Sequence, residues 1–265
     1  MSLRGREFNA KDAKEKTLES AKILLRVLYV CSFASLAFNV FRFMEMPSGM
    51  RVARYERVGN LCGILAPILW AAAIILCGSL RPGYSHFTQY ISELGERGSS
   101  TELIMRYAGF VPTGLMHVAF AALLYAAFRS SRLAVLAAAL LAVNGIARVG
   151  AGIFPCEAGC AVPRLLLSQK LHSLFAGVGF FALIGSSILW GLVLRRDRSL
   201  RHLSAYSAGS GLLGLLFLLL MARSAEQRAG TGLYERLSSG VLSLWIFVFA
   251  ARLWRLKRRS EKPIT

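Results

Sequence analysis

The sequence predicts an all-α polytopic membrane protein, a six-transmembrane-helix bundle with an extra N-terminal helical segment. Three observations predict it. Hydrophobic residues make up 55% of the 265, charged residues only 17%, and the mean hydropathy is +0.51; a soluble domain runs near about 25% charged. The apolar residues gather in blocks of roughly 20, enough to cross about 30 Å of hydrocarbon as helix, rather than in the one-sided stripes of a soluble helix. Basic residues flank those blocks on alternate connections.

A formal net charge of +18 would suggest nucleic acid in a soluble chain. Here Lys and Arg lie beside the spans, where they fix topology and meet anionic headgroups. No helix-turn-helix, zinc-finger or RNP pattern occurs. Membrane lipids are therefore the expected partners, no nucleic acid is expected, and a homo-oligomer is left open.

Residues 1–50 form an N-terminal helical extension. The stretch "ILLRVLYVCSFASLAFNVF" (23–41) is apolar but interrupted by Arg26, Asn39 and serines, and a charged run, "NAKDAKEKTLESAK", precedes it. The long charged leader and the lack of a small-residue cleavage site argue against a secretory signal. Three readings stay open: an interfacial helix, an appended span outside the core, or a translation start at Met50, since "MRVARYERVGN" makes a short cytoplasmic lead-in.

Residues 51–265 form the six-span membrane domain with a basic cytoplasmic tail. The spans are read at about 58–80, 103–128, 133–153, 171–194, 203–222 and 237–254. One set of connections holds Arg51, Arg54, Arg57, Arg129, Arg132, Arg195, Arg196, Arg198, Arg201 and the tail from Arg252 to Lys262. The other set is 81–106, 154–170 and 223–236. Lys and Arg number 15 in the first set and 8 in the second, so the first is assigned to the cytoplasm. This makes the chain a multi-pass protein of the cytoplasmic (inner) membrane with both ends of the six-span core cytoplasmic. Pro67 predicts a local kink in the first span. Small residues at helical spacing, Gly177 and Gly179 or Gly185 and Ser186, predict close helix contacts. Trp70, Trp190, Trp245 and Trp254 are read mostly as interfacial anchors.

Polar residues concentrate toward the outward side. The loop "RPGYSHFTQYISELGERGSS" (81–100) carries Ser92, Glu93 and Glu96, with Gly95 and Gly98 to supply turns. Arg148 sits in the third span about 8 Å below its outer end, taking about 1.5 Å per residue, with Asn144 one turn deeper on the same face. His172 opens the fourth span, Arg223 closes the fifth, and Glu235 and Arg236 open the sixth. Ionisable groups inside a membrane are usually paired and face the bundle interior. The loop is therefore expected to fold back over the bundle, its carboxylates meeting Arg148 or Arg236; Glu93, Glu96, Glu157 and Glu235 are the candidate partners. Such a charge-paired set reads either as a structural lock between helices or as a pocket for a lipid headgroup or small ligand. A cavity above Arg148 favours the pocket.

Ser92, Glu93 and His172 have the residue types of nucleophile, orienter and base, which gives a lipid-modifying hydrolase or transferase as the alternative. There is no "GxSxG" elbow to support it. A small-molecule transporter is third, without a matched pair of broken helices. No metal site is expected: His86, Glu93 and His172 lack HExxH or a close His pair. No cofactor is expected either. Axial ligands to one haem need comparable depth, and His117 lies about 20 Å down while His172 is at the surface. His117 is expected to bond a neighbouring helix. Cys31, Cys62 and Cys77 read as small buried side chains, and "CEAGC" places Cys156 and Cys160 where a disulfide can form.

"YSHFTQYISELGERGSS", "GIFPCE", "KLHSLFAGVGF" and "GLYERLSSGVLSLWIFVFA" follow in order. Together they resemble the bacterial and archaeal membrane-protein family catalogued as domain of unknown function 998, over about residues 58–254. The resemblance implies a six-span bundle and no established activity. "YIS-E-LG" is also similar to a piece of the Frag/DRAM/Sfk group of membrane proteins, which would imply a link to lipid remodelling.

Overall fold

Hydropathy dictates the architecture, and the chain builds six helices long and apolar enough to span a membrane. The computed structural model describes residues 48–160, 166–227 and 229–260, with 48–54 and 259–260 described by backbone alone. The stretch 23–41, the rest of the N-terminal extension up to residue 47, and Cys31 lie outside the described residues. The helices are α1 (Ser48–Leu80), α2 (Glu102–Phe128), α3 (Arg132–Ile153), α4 (Leu167–Leu194), α5 (Ser204–Ser224) and α6 (Thr231–Ser260).

Each boundary has a local cause. α1 stops where Pro82 and Gly83 follow, Gly83 at φ 72°, a left-handed value glycine takes without strain. Ser131 caps α3, its hydroxyl accepting from the Ala134 N–H. Pro155 follows the end of α3. α6 begins at Thr231, directly after Gly230 at φ 84°. That is six residues before the hydropathic block at 237. The polar Tyr234, Glu235 and Arg236 are helical although they lower local hydropathy. α1 runs through Pro67 without interruption. A separate irregularity lies in α2, where Met105–Phe110 is π-helical. Pro112 has no N–H, and its ring crowds the carbonyl of Ala108, so the preceding turn widens.

Consecutive helices pack side by side from α2 to α6. α1 packs on both α2 and α6: a Cβ on Gly59 would meet Leu123, and one on Gly63 would meet Phe120 and Ala250. The six helices therefore form a ring. Glycine brings backbones together at α2 and α3, where a Cβ on Gly114 would lie 2.6 Å from the Gly145 carbonyl oxygen. Gly177 makes no such contact, since open space surrounds its Cβ position.

The two halves of the ring are filled differently. At the arginine-rich end, Phe120 and Trp190 pack edge-on against Phe249 and Trp245 lies tilted on it, forming an aromatic plug. Trp190 and Trp245 are fully buried, so they are not interfacial anchors; their indoles fill the bundle axis, where a large ring gains more by burial than at the headgroups. Trp245 donates to Ser207 at 2.9 Å. At the long-loop end, a second cluster of Trp70, Met105, Phe110, Ile91 and Leu94 lies under the folded loop.

Candidate functional site

The described parts of the long connections fold into one lid. In 81–101, a 3-10 turn (Ile91–Gly95) buries Ile91 and Leu94. Gly98 takes the turn at φ 80°, whereas Gly95 sits inside the buried turn, a Cβ there meeting Arg106. Glu96 joins this loop to the next, accepting from Arg81 and from the Gly159 N–H. Arg97 pairs with Glu157 at 3.1 Å, and its N–H donates to the Cys156 carbonyl at 2.9 Å. Cys156 and Cys160 are joined in a disulfide, and the Ser92 hydroxyl lies 3.3 Å from the Cys160 sulfur. The lid is tied to α6 through the Ile91 N–H, which donates to the Glu235 carboxylate at 2.6 Å. Arg236 adds bonds to the Gln89 carbonyl, the Tyr84 hydroxyl and His86 Nδ1. Burial pushes the Tyr84 phenol above its ordinary value. Partial burial, and then the Arg236 charge, hold His86 below its own.

Under the lid is a partly enclosed cavity of about 70 Å³, several times the roughly 10–15 Å³ that one water needs. Arg148, Asn144, His172, Ser92, Glu235 and Ser239 contribute its polar lining, and Trp70, Phe110 and Phe175 its aromatic walls. Arg148 is half-buried. Its guanidinium lies 4.2 Å from the centroid of the Trp70 ring, a cation–π contact, and its Nη1 is sealed from solvent with no hydrogen-bond partner. Trp70 is held by its own N–H, which donates to Ser239 at 2.9 Å. Asn144 donates to the Gly179 carbonyl at 2.9 Å and accepts from His117 at 2.7 Å, so His117 does bond a neighbouring helix. His172 Nδ1 faces the carbonyls of Ala151 and Phe154 at 3.1 and 2.9 Å. Carbonyls only accept, so Nδ1 carries a proton and a neutral ring keeps its lone pair on Nε2.

The expected ion pairs are rearranged. Among the described residues no carboxylate pairs with Arg148 or Arg236. Glu96 and Glu157 take Arg81 and Arg97 instead, arginines of the loops themselves, which reach the acids nearer water and with less desolvation. Glu235 lines the same cavity as Arg148 without an ion pair between them. Arg223 is exposed at the end of α5 and contributes nothing to the cavity. Ser92 and His172 both line it, but neither is hydrogen-bonded to the other. Glu93 is buried and turned away, accepting from the Tyr90 N–H and from Gln89. The nucleophile, base and orienter are therefore not assembled as a relay. Among the described residues no three His, Cys, Asp or Glu side chains converge to hold a metal ion.

Sequence reasoning missed Arg106, which is buried where the π-helical segment begins. It donates to the Gly152 and Ile153 carbonyls, both at 2.8 Å, and pairs with Glu102. It thereby satisfies the free carbonyls at the end of α3. An arginine one turn inside an apolar block was the available signal. Trp70 and Ser239 were missed as cavity residues, because nothing local says that α1 meets α6.

Fold and site together define a six-span helical membrane protein with a lidded cavity, polar groups set in a mostly apolar lining, in one half of the bundle. A family model described as Protein of unknown function (DUF998) matches residues 64–252, and the chain belongs to that family. No curated protein and no solved structure matches the chain. The likeness to the Frag/DRAM/Sfk group finds no support in these comparisons.

Proposed function

We propose that the protein sits in the cytoplasmic membrane with its arginine-rich end and both ends of the six-span core in the cytoplasm, and that the lidded cavity faces outward and binds a small ligand through an anionic group. Arg148 is the anchor. The observation that carries this is its unpartnered Nη1 beside a cavity large enough for a few heavy atoms. A buried guanidinium donor without an acceptor is costly unless something supplies one. A carboxylate or phosphate oxygen would meet the planar fork, and the Trp70 face holds the guanidinium in place. The cavity takes a headgroup, not a whole lipid, so a lipid would enter by its head. The aromatic plug at the other end supports binding over passage through the bundle.

Purification from native membranes, with mass-spectrometric identification of what is retained, tests this reading. One headgroup class or small acid retained by the wild type and lost in Arg148→Gln is the expected result. An identical bulk-lipid profile in both overturns it.

A second reading, a lipid-headgroup hydrolase or transferase, has one observation in its favour: Ser92 and His172 line the same cavity. Turnover of the retained lipid that Ser92→Ala abolishes would support it; retention without turnover would end it.

A further inference from the structure

We infer that the ligand of this cavity is zwitterionic, with an ammonium as well as an anionic group, the ammonium being recognised by Glu235. The inference rests on the binding reading above and specifies its ligand class. It starts from charge. Arg148 and Glu235 line one cavity without an ion pair between them. With Glu235 ionised, a simple anion on Arg148 would leave the enclosed site with a net negative charge and set the ligand against the Glu235 carboxylate. A simple cation would repeat that conflict with Arg148. A ligand carrying both charges leaves the site neutral and gives each group an opposite partner, the arrangement under which buried charges are tolerated.

The lining supports an ammonium at the Glu235 side. Among the described residues Glu235 accepts from one donor, the Ile91 N–H, on a single oxygen at 2.6 Å, which leaves its second oxygen for a cation. His172 lines the same space, and in its neutral form it offers Nε2 as an acceptor, because its Nδ1 proton is held by two carbonyls. Phe110 and Phe175 line the same space, and aromatic faces attract ammonium groups. Two sources supply this chemistry: the headgroup of an ethanolamine phospholipid, and a small free solute bearing an oxyanion and an amine.

The test uses the full chain in phosphatidylglycerol nanodiscs, reading the unfolding midpoint against O-phosphoethanolamine, inorganic phosphate and ethanolamine. The expected result is that O-phosphoethanolamine stabilises the wild type at concentrations at least about tenfold below those phosphate needs, a factor worth about 1.4 kcal/mol. Glu235→Gln should remove that advantage while still responding to phosphate. Equal responses to O-phosphoethanolamine and phosphate in the wild type overturn the zwitterion and leave the anion site standing. An advantage that persists in Glu235→Gln overturns the role of Glu235. If no probe shifts the wild type, or if the probes shift Arg148→Gln as much as the wild type, the binding reading falls as well. Should Glu235→Gln fail to fold, the three probes on the wild type decide alone. Repeating the purification in mixed phosphatidylethanolamine and phosphatidylglycerol separates the sources: selective retention of the ethanolamine lipid identifies a headgroup, and its absence alongside O-phosphoethanolamine binding identifies a free solute.

Discussion

Replacing Arg148 with methionine separates a ligand anchor from a structural lock. The guanidinium is half-buried, has no carboxylate partner among the described residues and leaves Nη1 sealed without an acceptor there. Among the described residues its favourable contact is with Trp70, at 4.2 Å from the ring centroid, worth up to about 2 kcal/mol when desolvated. Holding an unpaired ion out of water costs several kcal/mol, and replacing buried charge with an apolar side chain of similar volume is often stabilising by about 1–4 kcal/mol. Methionine keeps the length of the stem and packs on aromatic rings. Arg148→Met should therefore be neutral to about 2 kcal/mol more stable than the wild type without ligand. Its retained headgroup or solute should be lost. The assay is reversible unfolding in detergent micelles, following intrinsic tryptophan fluorescence. Destabilisation by more than about 3 kcal/mol, the usual result of breaking a buried ion pair, would show that Arg148 is locked to a partner and refute the argument.

Three other outcomes follow from the geometry. Gly114→Ala should cost about 1–3 kcal/mol, because its Cβ would lie 2.6 Å from the Gly145 carbonyl oxygen and α2 and α3 would have to part; unchanged thermal unfolding would mean the two helices are not so close. His86 is held below its ordinary value of 6.5 by burial and Arg236. Its contribution to stability is thus present above that pH and lost as pH falls through the lowered value. Acidification from about pH 7.5 to pH 5 should lower the unfolding midpoint of the wild type more than that of His86→Gln, and equal slopes would contradict the contact. Periplasmic reporters fused at residue 158 should be active and those at residue 198 inactive; activity of both on one side would undo the assigned orientation.

The bundle was legible because burying roughly 20 residues in hydrocarbon demands a pattern that few other constraints can mask. Spans were read to within a few residues at most ends. The exceptions were α1, which begins ten residues before the read start, and α6, which runs six residues further at each end; at its start "GLYER" is polar yet helical and only Gly230 signalled the boundary. Hydropathy was silent on which face of a span meets lipid, so Trp190 and Trp245 were read as anchors although both lie inside the ring. Gly177 failed for the same reason: spacing alone does not say whether a neighbour is present. Arg148, Asn144, His172, Ser92 and Glu235 were legible as site residues, since charge and amide in an apolar helix stand out, and the structure brings all five to one cavity. Their pairing was not legible. Arg81 and Arg97 compete for the carboxylates over short distances within the lid, and pairing that depends on loop folding leaves no periodic trace.

An electron-microscopy or crystallographic map of the protein extracted with its native lipids decides whether the cavity holds a ligand on Arg148. Non-protein density is expected in the cavity, with an oxygen about 2.7–2.9 Å from the Arg148 guanidinium. An empty cavity with Arg148 paired directly to Glu235 would contradict it.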